Sequence, residues 1–153
     1  MLPVVVVDDS HSDLFFCQRE LWAARILNPV LLFPSAKTCL EYFQRESFPC
    51  LGLVDLVLSP DRGANLIKKL RAIPLLQNSV FVMLSAMSDY KLIAEGYAAG
   101  AATFLTKPVS HDELVRIFRN VRGLSVLQHR NGNELTLSAR LDAHAPVHAR
   151  VSV

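Results

Sequence analysis

The stretch Val4-Val5-Val6-Val7-Asp8-Asp9 decides how the rest of the chain is read. Four β-branched residues in a row describe a strand buried on both faces, since a half-exposed strand would alternate apolar with polar residues. The two aspartates fall where that strand runs out. The same figure recurs twice: Leu51-Gly52-Leu53-Val54 runs into Asp55, and Phe104-Leu105-Thr106 runs into Lys107-Pro108. In open α/β sheets the carboxyl ends of parallel strands form the ligand crevice. Three carboxylates gathered there repel one another unless a cation joins them, and a hard divalent ion such as Mg²⁺ meets that need. A lysine alongside adds a fixed positive charge for a phosphoryl oxygen. Asp8, Asp9, Asp55 and Lys107 are therefore the candidate site, with chemistry suited to placing a phosphoryl group on an aspartate.

Five short apolar runs, at 4–7, 30–33, 51–54, 80–84 and 102–105, alternate with longer amphipathic stretches. That alternation predicts an α/β domain with a five-stranded parallel sheet, right-handed crossovers and helices on both faces. Leu14, Cys17, Leu21 and Ala24 share one helical face; Ala36, Leu40 and Phe43 share a second; Leu66, Ile67 and Leu70 share a third. Ser110 and Glu113 form a capping box ahead of Leu114, Ile117, Phe118 and Val121, and Gly100 is placed to end the fourth helix. From about Gly123 the pattern changes. Arg130-Asn131-Gly132-Asn133 signals a turn or linker. Leu135, Leu137 and Leu141 then alternate with polar residues, as do Val147, Ala149, Val151 and Val153, with 142–146 able to turn between them. A hairpin pairing with a sheet edge or another subunit and a loosely ordered terminus both remain open for this tail.

The chain has 153 residues, enough for one substantial core, and 51% of them are apolar. Its net charge is only +2, so composition makes no case for direct nucleic-acid binding. The apolar runs are too short to span a bilayer, and no secretion signal precedes the first strand. Cys17, Cys39 and Cys50 lack metal-ligand spacing and read as buried, reduced thiols of a cytoplasmic protein.

Over residues 3–121 the sequence resembles a response-regulator receiver domain, the phosphoacceptor half of a two-component system. The resemblance is carried by Asp8-Asp9, by Asp55 with Gly63 eight positions on, by Ser85-Ala86, and by Ala99-Gly100-Ala101 leading to Lys107-Pro108. Asp8-Asp9-Ser10 through Asp13-Leu14, with Asn28-Pro29, is also similar to stand-alone receivers paired with bacterial phytochromes. The resemblance implies a flavodoxin-like doubly wound sheet of order 2-1-3-4-5. It implies Asp55 as phosphoacceptor, Lys107 and Ser85 as partners of the phosphoryl oxygens, and Ser85 with Phe104 as a switch. It also implies Mg²⁺ held by Asp9 directly, Asp8 directly or through water, Asp55, and the main-chain carbonyl of Val57. The Lys107-Pro108 bond is expected cis.

Three departures stand out. Ser59 fills a position usually held by proline, with Pro60 one later. Val57 and Met87 bring apolar side chains to the two positions that tune hydrolysis. The tail has no counterpart. The expected organisation is a receiver at 1–122 and a tail at 123–153. The chain is expected to be no enzyme but a cytoplasmic signalling module. Its partners would be a sensor histidine kinase or phosphotransfer protein and a downstream protein, with a homodimer open and neither nucleic acid nor membrane bound directly. The competing reading is a phosphorylation-independent interaction module with a receiver fold. Recognition is expected to centre on the fourth helix, fifth strand and fifth helix, with the first helix nearer the kinase. Either one of the adjacent Phe15 and Phe16 projects from that helix as an anchor or the helix has a wide buried stripe, which alanine variants of Phe15, Phe16 and Trp22 would tell apart.

Overall fold

A computed structural model describes residues 1–86 and 90–138. Met87 and the 139–153 part of the tail, with Leu141 and the 147–153 alternation, lie outside the described residues. β1 (Val4–Val7) leads to α1 (His11–Ala23), and β2 (Val30–Phe33) to α2 (Ala36–Arg45). β3 (Leu51–Asp55) leads through a two-residue hairpin, β4 (Val57–Leu58) and β5 (Asp61–Arg62), to α3 (Gly63–Arg71). β6 (Val80–Ser85) leads to α4 (Tyr90–Ala99) and β7 (Thr103–Thr106) to α5 (His111–Asn120), after which come β8 (Leu124–His129) and β9 (Gly132–Leu137). The main sheet has the order β2-β1-β3-β6-β7, parallel throughout, which is the doubly wound 2-1-3-4-5 arrangement.

The uninterrupted apolar runs are explained by two cores, one on each face. Val4 and Val6 of β1, Leu51 and Leu53 of β3, and Val82 and Leu84 of β6 face α1 and α5, joining Leu14, Leu21, Leu114 and Phe118. Their alternates Val5, Val7, Val54, Phe81 and Met83 join Phe43, Leu66, Ile67 and Leu70 on the other side. Because successive strand residues point to opposite faces, a strand sandwiched between helix layers has no position for a polar side chain until it ends. Serines start three of the helices: Ser10, Ser35 and Ser110 accept from the N–H groups of Asp13, Thr38 and Glu113. α4 ends in a Schellman motif at Gly100, with Gly100 N–H donating to Tyr97 O and Ala101 N–H to Gly96 O. Cys17, Cys39 and Cys50 are free and buried.

The hairpin suggested by the alternation at 135–141 and 147–153 falls mostly outside the described residues, but residues 124–137 of the tail form one. Its strands are β8 and β9, turned at Arg130-Asn131, and they form a separate two-stranded sheet. Leu124 and Leu135 bury themselves in the α1/α5 core, with Val126 and Leu137 packed against it. The hairpin is fixed to the amino end of the main sheet by backbone bonds rather than by pairing along an edge strand. Asn133 N–H donates to Arg25 O (2.7 Å) and Leu27 N–H donates to Asn133 O (2.9 Å). Buried Asn28 completes the dock: its Nδ2 donates to Leu2 O (2.7 Å) and Leu135 O (2.8 Å), and its Oδ1 accepts from Leu135 N–H (2.8 Å). Among the described residues no helix is long and apolar enough to cross a membrane.

Candidate functional site

The four polar stations meet at the carboxyl end of the sheet because β1, β3 and β7 all stop there. Asp8 follows β1 and is buried, its Oδ1 accepting from Ser10 N–H (3.0 Å) as the chain turns into α1. Asp9 beside it is exposed. Asp55 closes β3, is 7% exposed, and accepts from Val57 N–H at Oδ1 (3.2 Å). Lys107 reaches in from the end of β7, its own N–H held by Ser85 O (2.7 Å) and its bond to Pro108 cis, as expected. Its Nζ donates to Asp8 Oδ2 (2.5 Å), Asp13 Oδ2 (3.0 Å) and Asp55 Oδ2 (3.2 Å).

Gly63 shows why a glycine stands eight positions after Asp55. Its N–H donates to Leu56 O, and a Cβ there would lie 2.1 Å from Asp55 O. Only a residue without a side chain lets α3 start this close to the acceptor's backbone. The departure at Ser59-Pro60 is accommodated by the β4/β5 hairpin, where that bond is also cis.

The crevice is under electrostatic tension. Three carboxylates (Asp8, Asp13 and Asp55) meet one ammonium, and Asp9 adds a fourth beside Asp8 and Asp55. Burial pushes the Asp55 pKa up to about 6, and the charge of Asp8 adds to the push; Lys107 and the Val57 N–H oppose it. Burial alone would pull the lysine down, but hydrogen bonds to Asp8 and Asp13 and the charges of Asp55 and Asp8 more than offset that, so Lys107 stays firmly charged. One carboxylate oxygen from each of Asp8, Asp9 and Asp55 lies within 4.8 Å of the others. An all-oxygen set with excess negative charge suits a hard divalent cation such as Mg²⁺.

The remaining candidates are placed as follows. Ser85 is buried at the end of β6, level with Thr106 of β7. Phe104 lies opposite Met83 in the ladder, partly buried against the α2/α3 core rather than in the crevice. The Val57 side chain is 53% exposed at the rim. Asp13 is a site residue that the sequence reading passed over; Ser10 capping α1 puts it in the first helical turn, above Lys107. On the outer face of α1, Phe15 and Trp22 are both more than 60% exposed. Phe16 is half-buried under the guanidinium of Arg19.

Residues 4–119 match the family model described as the response regulator receiver domain. The two-component response regulator ARR10 of Arabidopsis thaliana is 32% identical over 143 residues, which is 91% of this chain but only 24% of that protein. The chain thus spans about a quarter of the length of that relative. Among solved structures, the chemotaxis protein CheY4 of Vibrio cholerae superposes with a TM-score of 0.70 at 24% identity, covering 79% of this chain and 98% of that one. The bacteriophytochrome response regulator AtBRR does so with a TM-score of 0.65 at 20% identity, covering 76% and 89%. Likeness at those identities speaks for the fold, and the family match over most of the chain speaks for more: the chain belongs to the response regulator receiver domain family of two-component signalling.

Proposed function

We propose that this chain takes a phosphoryl group from a phosphohistidine of a sensor histidine kinase or phosphotransfer protein onto Asp55. The observation that carries this reading is the convergence of Asp8, Asp9 and Asp55 within 4.8 Å, with Lys107 Nζ 3.2 Å from the Asp55 carboxylate. An Asp55 oxygen attacks phosphorus, the P–N bond breaks, and the imidazole leaves with its electron pair and takes up a proton. Mg²⁺, when held by Asp8, Asp9, Asp55 and the main-chain carbonyl of Val57, supplies charge neutralisation for the phosphoryl oxygens. Lys107 exchanges Asp55 for a phosphoryl oxygen, and the Ser85 hydroxyl donates to another. The pull on Ser85 is transmitted to Phe104, which leaves its partly buried position for a deeper one.

That movement would alter the face built from α4, β7 and α5, where a downstream protein or a second copy of the chain would bind. Phe15 and Trp22, seven residues apart and so two turns along α1, present an apolar anchor for a kinase or phosphotransfer helix. Three free, buried cysteines support a cytoplasmic setting. Incubation with acetyl phosphate and Mg²⁺, followed by intact-mass measurement, tests the reading. One phosphoryl adduct is expected on wild type and none on Asp55→Asn or in EDTA; labelling of Asp55→Asn would overturn it.

A further inference from the structure

Three carboxylates share the Lys107 ammonium, and one of them lies outside the metal-binding set. Nζ is 2.5 Å from Asp8 Oδ2, 3.0 Å from Asp13 Oδ2 and 3.2 Å from Asp55 Oδ2. An ammonium has three N–H donors, so these bonds use its full capacity. The oxygens able to hold a cation together belong to Asp8, Asp9 and Asp55. A cation entering that set draws on the same two carboxylates, Asp8 and Asp55, that Lys107 uses, and repels the lysine by like charge. Among the described residues, Asp13 is then the partner left to it. The Asp13 backbone is fixed by the Ser10 cap (3.3 Å), while its side chain is 47% exposed and free of the sheet.

We propose that Asp13 is a positioning residue that holds Lys107 while a divalent cation occupies the crevice, and that an incoming phosphoryl group must win the lysine from it. The proposal rests on reading Asp55 as the phosphoacceptor. It has two consequences of opposite sign. Asp13 favours the cation, by adding negative charge and by giving the displaced ammonium a partner. It opposes the phosphoryl group, which carries like charge and competes for the same N–H donors. An aspartate that merely secured the start of α1 would, once removed, weaken both steps together.

Asp13→Asn keeps the shape and removes the charge. Calorimetric titration with Mg²⁺ alone should give an affinity lowered roughly threefold, the size expected of a half-exposed ion pair. At saturating Mg²⁺, the acetyl phosphate concentration for half-maximal labelling rate should fall by a similar factor, and both differences should shrink at high salt. Asp13→Glu, which restores the charge, should move both quantities back toward wild type. If Asp13→Asn shifts both in the weakening direction, or leaves either unchanged, the proposal is overturned. Asp55→Asn run alongside separates the two readings: its labelling would defeat the phosphoacceptor assignment, while the Mg²⁺ titration still decides the role of Asp13.

Discussion

At the carboxyl end of the sheet three carboxylates compete for one lysine; at the amino end Asn28 bonds three backbone groups of Leu2 and Leu135 at once. The first arrangement is charged, over-supplied with acceptors and able to exchange partners. The second is neutral, buried and paired with backbone groups, so any exchange would strand one of them away from water. α1 joins them, with Asp13 in its first turn at the crevice and Ala24 and Arg25 giving their carbonyls to Asn133 at its last. The contrast teaches where this domain can afford to be adaptable. On the proposed function, a site that accepts a cation and then a phosphoryl group keeps unresolved charge, while the far end of the same helix is anchored by Asn133.

Breaking the neutral end should have the largest effect. Asn28→Ala removes three hydrogen bonds and leaves the N–H and C=O of buried Leu135 without these partners, so we expect a loss of about 3 kcal/mol in denaturant unfolding. Labelling of the folded fraction should be unchanged. An equal loss of labelling per folded molecule would show that the two ends are not separable.

Relieving the charged end should act in the opposite direction. The Asp55 pKa, raised to about 6 in the folded chain, lies above its unfolded value. The folded state therefore binds that proton more tightly, and the resulting stability is full below about pH 4 and lost as pH rises through 6. In EDTA, Asp55→Asn should remove this dependence and be about 2 kcal/mol more stable than wild type at pH 7. A variant less stable than wild type there would mean that Lys107 stabilises the Asp55 carboxylate more than burial and Asp8 oppose it.

Between the ends, Phe15→Ala and Trp22→Ala should cost less than about 0.5 kcal/mol of stability, because both rings are exposed. Phosphotransfer from a cognate histidine-bearing partner should slow by about tenfold, the loss of one anchoring contact. Loss of stability without loss of transfer would assign these rings to folding alone. The smallest effect should come from the rim. Val57 offers no hydrogen bond to a hydrolytic water, so Val57→Asn should hasten decay of the phosphorylated chain about threefold. An unchanged or slower decay would remove Val57 from the hydrolysis path.

Much of this contrast was legible in the sequence, unevenly. The strand runs at 4–7 and 51–54 announced themselves because two-sided burial forbids polar interruption, and for the same reason Asp8, Asp55 and Lys107 stood out as the points where burial stops. Asp13 was not legible: an acidic residue in the first turn of a helix is also what favourable capping and dipole interactions produce. The β8/β9 hairpin was missed because its strands are half-exposed, and its anchorage runs largely through backbone atoms of residues 25–27, which leave no side-chain pattern. Asn28 ahead of Pro29 reads as a turn residue; that it is the most fully bonded side chain of the dock depends on Leu2 and Leu135, far away in sequence.

The central claim, that the charged end exists to carry a phosphoryl group on Asp55, is tested most directly by trapping the bond itself. The chain labelled by acetyl phosphate and Mg²⁺ is reduced with borohydride, which converts an acyl phosphate on aspartate to homoserine, and is then mapped by peptide mass spectrometry. We expect homoserine at position 55, in proportion to the adduct measured on the intact chain. Homoserine at Asp8, Asp9 or Asp13, or an adduct that leaves no homoserine at all, would contradict it.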